Sequence, residues 1–170
     1  FYSSGTNLMV RDSMRVYVRN ATSPYAIVDS GKAFLSTSGA GSISFTRTFN
    51  AVNYFFIFKH RNSMETWSKS PGQSFLTYAL SYDLTTAAAQ AYGNNIIQVD
   101  ASPVKFAVYG GDVDKDGAID AQDVSDVENA SFISLSGYVQ TDLTGDDFVD
   151  ASDIAIVDYN ADLTILLQRP

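Results

Sequence analysis

Met14, Val16 and Val18 alternate with Arg15, Tyr17 and Arg19, which is the period of a strand that buries one face. Ile43, Phe45 and Phe49 alternate with Ser44, Thr46 and Thr48 in the same way. Short apolar runs at 8–10, 25–28, 32–35, 54–59 and 74–82 are separated by Ser-Pro, Ser-Gly, Asn-Ser and Pro-Gly turn signals. About seven or eight short strands at this spacing predict a mainly β chain with an immunoglobulin-like antiparallel β-sandwich over residues 1–109. A short helix is expected over 85–92, followed by strands at 96–99 and 104–109. After residue 110 the period changes. Val124 and Val127 fall on one face of a helix over 121–130, and Ile154 and Val157 on one face of a helix over 151–160.

Charge divides the chain at the same place. Residues 1–100 hold eight basic and five acidic side chains and residues 101–170 hold three and fourteen, so +3 stands against −11 within a total of −8. The acidity is concentrated in the tail, which argues against a nucleic-acid binder or a polybasic membrane ligand. With 45% hydrophobic and 13% aromatic residues over 170 positions, the chain can bury a real core. Cysteine is absent, so thiolate metal sites and disulfides are excluded. No apolar run approaches the roughly 20 residues needed for membrane insertion. The chain starts at Phe1 rather than Met and reads as part of a longer secreted protein.

The tail carries two in-register segments thirty residues apart, DVDKDGAIDAQD over 112–123 and DLTGDDFVDASD over 142–153. A 12-residue calcium loop needs side-chain oxygens at positions 1, 3, 5, 9 and 12, a backbone carbonyl at 7 and a turn residue at 6. The first copy supplies Asp112, Asp114, Asp116, Asp120 and Asp123, with Gly117 at the turn and the Ala118 carbonyl. The second supplies Asp142, Thr144, Asp146, Asp150 and Asp153 with the Phe148 carbonyl. Thr144 is neutral and Asp147 stands at the turn, so the second of the two Ca2+ sites is expected to be weaker. Hard oxygen donors in this number favour calcium over zinc, copper or magnesium. Ile119 and Val149, at position 8, are expected to pair the two loops face to face.

A helix-loop-helix calcium site has an entering helix and Glu at position 12; here an alternating segment ending in Gly110-Gly111 precedes the loop, and Asp ends both copies. This duplicated loop with only an exit helix, opening GDVDKDG, resembles the type I dockerin family over about residues 111–170, within a module expected over 110–170. The resemblance implies two calcium ions, near two-fold internal symmetry and docking onto a cohesin-like domain of another secreted protein. It also implies partner reading by positions 10 and 11, here Ala121 and Gln122, and Ala151 and Ser152. These pairs differ from the Ser-Thr pair of many cellulosomal members. The region ahead of the loops looks like modules that precede dockerin-like repeats in large secreted bacterial proteins.

Catalytic constellations are missing from the motifs. His60 is the single histidine, beside Lys59 and Arg61, and reads as a surface residue. No nucleophile elbow or phosphate loop is present. The expected function is therefore non-catalytic: an extracellular or cell-surface calcium-binding module for protein attachment or subunit assembly, its partner a cohesin-like domain or copies of itself, as in a filament. The alternative is a carbohydrate-binding accessory module with Trp67 as a glycan-stacking platform, which requires an exposed Trp67.

Overall fold

The computed structural model describes residues 12–36 and 38–170; the expected strand at 8–10 lies outside them. Strand β1 (Ser13–Asn20) lies between β2 (Ile27–Phe34) and β3 (Asn53–Lys59), antiparallel to both. Two short strands, β4 (Thr66–Trp67) and β5 (Gln73–Ser74), pair with β3 and complete a five-stranded sheet. Strands β6 (Ile97–Ala101) and β7 (Val104–Ala107) form a separate antiparallel pair. Helices α1 (Ala121–Phe132) and α2 (Ala151–Asp162) follow.

The run Tyr-Phe-Phe-Ile-Phe in β3 is apolar at every position because both faces of that strand are covered. Tyr54 and Phe56 join Val16 and Val18 on one face, while Phe55 and Ile57 join Trp67 on the other. Ile43, Phe45, Phe75 and Leu80 cover the first face. Tyr25 and Tyr92 cover the second, together with Leu167 from the far end of the chain. Phe55 meets Tyr25, Trp67 and Tyr92 edge-on, the geometry that the ring quadrupole favours.

Several expected elements are corrected. The runs expected at 25–28 and 32–35 merge into the single strand β2, which covers 27–34, and Ser30-Gly31 is not a turn. A Cβ on Gly31 would stand 2.2 Å from Ile43 Cγ2, so this glycine admits a close approach instead. Residues 43–49 form no ladder. Their alternation is met by Ile43 and Phe45 packing inward, and Asp29 accepts from the amides of Thr46 and Arg47 at 2.8 and 3.0 Å. Of 74–82 only Ser74 is laddered, because Thr77 and Tyr78 turn the chain at positive φ. The helix expected over 85–92 is a series of three-residue 3-10 turns, interrupted where Ala87 and Ala91 are extended. The layer facing the sheet is thus built from irregular chain.

No linker separates the sheet from the acidic tail. Met64 donates its amide to the Tyr109 carbonyl and Gly111 donates to Asn62, each at 2.8 Å. The Met64 side chain, 1% exposed, sits in the tail's own core with Val113, Ile119, Val127, Leu143, Val149 and Val157. Fully burying side chains of this size stabilises by about 1.5–3 kcal/mol each.

Candidate metal centre

The two acidic segments adopt one backbone design. Asp120 and Asp150 are the N-caps of α1 and α2, accepting from the amides of Gln122 and Ser152 at 2.8 and 2.7 Å. Asp123 and Asp153 close the capping boxes, with Oδ2 accepting from Asp120 and Asp150 at 3.0 and 2.9 Å. Asp123 Oδ1 also accepts from Val113 and Asp114, and Asp153 Oδ1 from Leu143 and Thr144. Position 12 is therefore largely committed to the backbone, with most of its acceptor capacity used.

Positive φ occurs at positions 4 and 6 of both copies: Lys115 (68°) and Gly117 (93°), then Gly145 (75°) and Asp147 (79°). Each loop thus holds one non-glycine residue in the left-handed region, at different positions. Asp147 makes the turn at position 6 in the left-handed conformation, and position 4 imposes a second left-handed residue that the loop spacing does not predict.

The loops do not pair through position 8. Instead Ala118 bridges Leu166, and Phe148 bridges Ser136. Ile119 donates to Ile165 and Leu167 to Gly117, while Val149 donates to Leu135 and Gly137 to Asp147. Each loop pairs with the segment that follows the other copy's helix, an exchange that leaves Ile119 and Val149 free to point into the shared core. The bridge bonds are made by neighbours of Ala118 and Phe148 and do not use the carbonyls at position 7.

The first positions differ. Carboxylate oxygens of Asp112, Asp114 and Asp116 lie within 4.8 Å of one another. At an effective dielectric of 20, each such pair repels by about 3 kcal/mol, less where water screens the exposed members. Asp112 is 2% exposed, and its Oδ1 is buried with no hydrogen-bond donor. Burial pushes this carboxyl up to about 6 from its ordinary 3.8, despite the Lys115 ammonium nearby. A buried carboxylate oxygen without a donor fits a cation. In the second copy, Asp142 Oδ1 accepts from the Gly145 amide at 2.7 Å and the Thr144 hydroxyl at 3.4 Å, and Oδ2 from the Asp147 amide at 3.4 Å. Burial again raises the carboxyl, opposed by these amides and by Arg61. Thr144 removes the third carboxylate that would complete a cluster like the first.

The positions implied in partner reading, Ala121, Gln122, Ala151 and Ser152, are all exposed in the first turns of the helices. The His60 side chain is 11% exposed rather than on the surface, with Nε2 2.7 Å from Asp12 Oδ2 and Nδ1 2.7 Å from Asn62 Oδ1. Ser63 Oγ, 3.3 Å from Nδ1, gives the outline of an Asp-His-Ser set. The Asn62 amide is oriented by donating Nδ2 to the Asp142 carbonyl at 2.7 Å. Its Oδ1 is consequently an acceptor, Nδ1 of His60 must donate, and no lone pair remains there to take a proton from Ser63. Trp67 is 4% exposed and donates to Glu65 at 2.6 Å, so it is no glycan platform.

The residues that sequence reasoning missed are those of the corner between β3 and β4. Asn62 holds both regions, Arg61 reaches the second loop, and the Lys115 ammonium donates to the carbonyls of Ser63 and Asp112. Nothing in the spacing of Lys59-His60-Arg61-Asn62-Ser63 marks it, since its partners lie about eighty positions away. Among the described residues no helix is long and apolar enough to cross a membrane. Comparison with protein-family models, curated proteins and solved structures finds no match to this chain.

Proposed function

We propose that residues 110–170 are a dockerin-like module with two calcium sites, joined to an immunoglobulin-like sandwich whose second layer comprises the irregular segments around 43–50 and 75–82. The whole serves as a non-catalytic structural or assembly module in an extracellular setting, where calcium near millimolar keeps even weak loop sites filled. Its partner is a protein, either a cohesin-like domain or a further copy of the chain. The observation that carries the reading is the duplicated loop with one backbone design, in which Asp112, Asp114 and Asp116 gather their oxygens around a buried Asp112 Oδ1 that has no donor.

The first ion would be held by Asp112, Asp114, Asp116 and Asp120, by the Ala118 carbonyl and by what acceptor capacity Asp123 retains. The second would be held by Asp142, Thr144, Asp146, Asp150 and Asp153 with the Phe148 carbonyl. Calcium supplies charge neutralisation, and the chain supplies the turns, caps and reciprocal bridges that hold the oxygens. Isothermal titration with calcium, paired with sedimentation and thermal unfolding with and without chelator, tests the reading. Heat from two sites and a calcium-dependent gain in stability are expected. A metal-stripped protein that takes up no calcium at millimolar concentration, with unchanged stability, overturns it.

A further inference from the structure

The corner between β3 and β4 buries a cation against the Asp142 carboxylate of the second loop, whereas the cation of the first loop, Lys115, is an exposed residue whose ammonium rests on the carbonyls of Ser63 and Asp112. Arg61, its side chain 9% exposed, donates from Nη1 to the carbonyl of Asp142 at 2.7 Å and to that of Val139. Its Nη2 stands 3.5 Å from Asp142 Oδ2. The guanidinium lies 4.5 Å from the ring centre of Tyr138, whose hydroxyl donates to Asp12 at 2.7 Å. The Arg61 Nε is buried without a hydrogen-bond partner, 3.9 Å from Asp12 Oδ2. Two main-chain carbonyls, a ring face and a neighbouring carboxylate fix the group in place. Swinging this guanidinium into water would break both carbonyl contacts and leave the buried Asp142 carboxylate unpaired. In the first loop the equivalent group, Asp112, has no such ion pair among the described residues; Lys115 donates there to carbonyls.

We propose that Arg61 is the tethered cation of the second loop, so that this loop closes around Asp142 without metal and binds calcium more weakly than the first. Resting on the calcium reading above, this makes Arg61 a positioning residue that sets the difference between the sites. One fixed positive charge beside Asp142 offsets part of the burial cost of its carboxylate and repels an incoming divalent ion. Asn62 has a separate role. It anchors the same carbonyl without charge.

The test is calcium titration of the full chain, followed at the backbone amides of Gly117 in the first loop and Gly145 in the second. In the unaltered protein the first loop is expected to fill at calcium concentrations about tenfold or more below the second, tenfold being the effect of one unit charge on a divalent ion about 6 Å away at the dielectric of water, about 80. Arg61→Met keeps the stem and removes the charge, and should tighten the second loop by about tenfold while the first is unchanged. Arg61→Lys keeps the charge and should leave the second loop weak. An unchanged or weaker second loop in Arg61→Met, or equal tightening in Arg61→Lys, overturns the assignment. If Arg61→Met does not fold, equal filling of the two loops in the unaltered protein overturns it. Absence of binding at both loops sinks the calcium reading itself.

Discussion

Replacing Asp112 with Asn should stabilise the metal-free protein at neutral pH. The carboxyl is raised from 3.8 to about 6, so the folded state binds its proton more tightly than the unfolded state does. A raised acid destabilises the fold above its folded value, and the cost disappears as pH falls through about 6 towards 3.8. Two units correspond to about 3 kcal/mol at pH 7. In chelator, the unaltered protein is therefore expected to gain stability between pH 7 and pH 4.5. Burial shifts Asp123 and Asp142 in the same direction. The lowered acids Asp12, Asp29 and Asp83 act below this window, because their stabilisation is lost only as pH falls below their ordinary 3.8. Asp112→Asn removes the Asp112 share, so its stability at pH 7 should rise by about 3 kcal/mol in chelator and its profile should flatten. In calcium the order is expected to invert, since under the calcium reading proposed above the variant loses a ligand. Urea unfolding at both pH values, with calcium and with chelator, measures all four quantities. A variant less stable than the parent in chelator at pH 7 would mean that Asp112 finds adequate partners without a cation, and the argument from its buried oxygen would be refuted.

Met64→Ala removes a side chain 1% exposed in the tail's core and should cost about 2–5 kcal/mol; because Met64 belongs to the sheet region, both regions should lose stability together in calorimetry. Asp147→Gly relieves a φ of 79° and should add about 0.5–1 kcal/mol in chelator, read by urea unfolding. Gly31→Ala places a Cβ 2.2 Å from Ile43 Cγ2 and should cost about 1–3 kcal/mol, with Ile43→Ala in the same chain recovering part of the loss.

The backbone of the two acidic loops was legible because it is a local object: turn, helix cap and exit helix all follow from spacing within a short segment. The same periodicity located α1, α2, β1 and β3 to within a few residues. What the sequence could not convey is non-local. The Ser-Gly pair at 30–31 carries the composition of a turn, and only the approach of Ile43 reveals why glycine stands inside a strand. The alternation at 43–49 located Ile43 and Phe45 on the inward side but not Phe49, which is 70% exposed, and hydrogen bonding to Asp29 replaced a neighbouring strand. Position 8 suggested loop-to-loop pairing by analogy with paired loops, whereas the thirty-residue shift is equally satisfied by exchange with the segments at 135–137 and 165–167. His60 and Arg61 looked like a solvated strand end because their partners, Asp12, Tyr138 and Asp142, are remote in the chain.

The exchange has a consequence for how metal and fold are joined. The first loop is completed by the chain that leaves α2, and the second by the chain that leaves α1, so neither copy can bury Ile119 or Val149 without the other. That reciprocity places both loops in one cooperative unit, and Met64 extends the unit into the sheet. The tail contributes in return, because Leu167, whose amide bonds the first loop at Gly117, packs beneath Phe55, Ile57 and Trp67. Hydrogen bonds and packing thus link the first loop in one direction through Gly111 and Asn62 to the β3–β4 corner, and in the other through Gly117 and Leu167 to the face of β3. With both links ending on the sheet, a cation held at the first loop, as proposed above, is expected to stabilise the junction as well as the tail; protease sensitivity of the junction that is the same in calcium and in chelator would refute this.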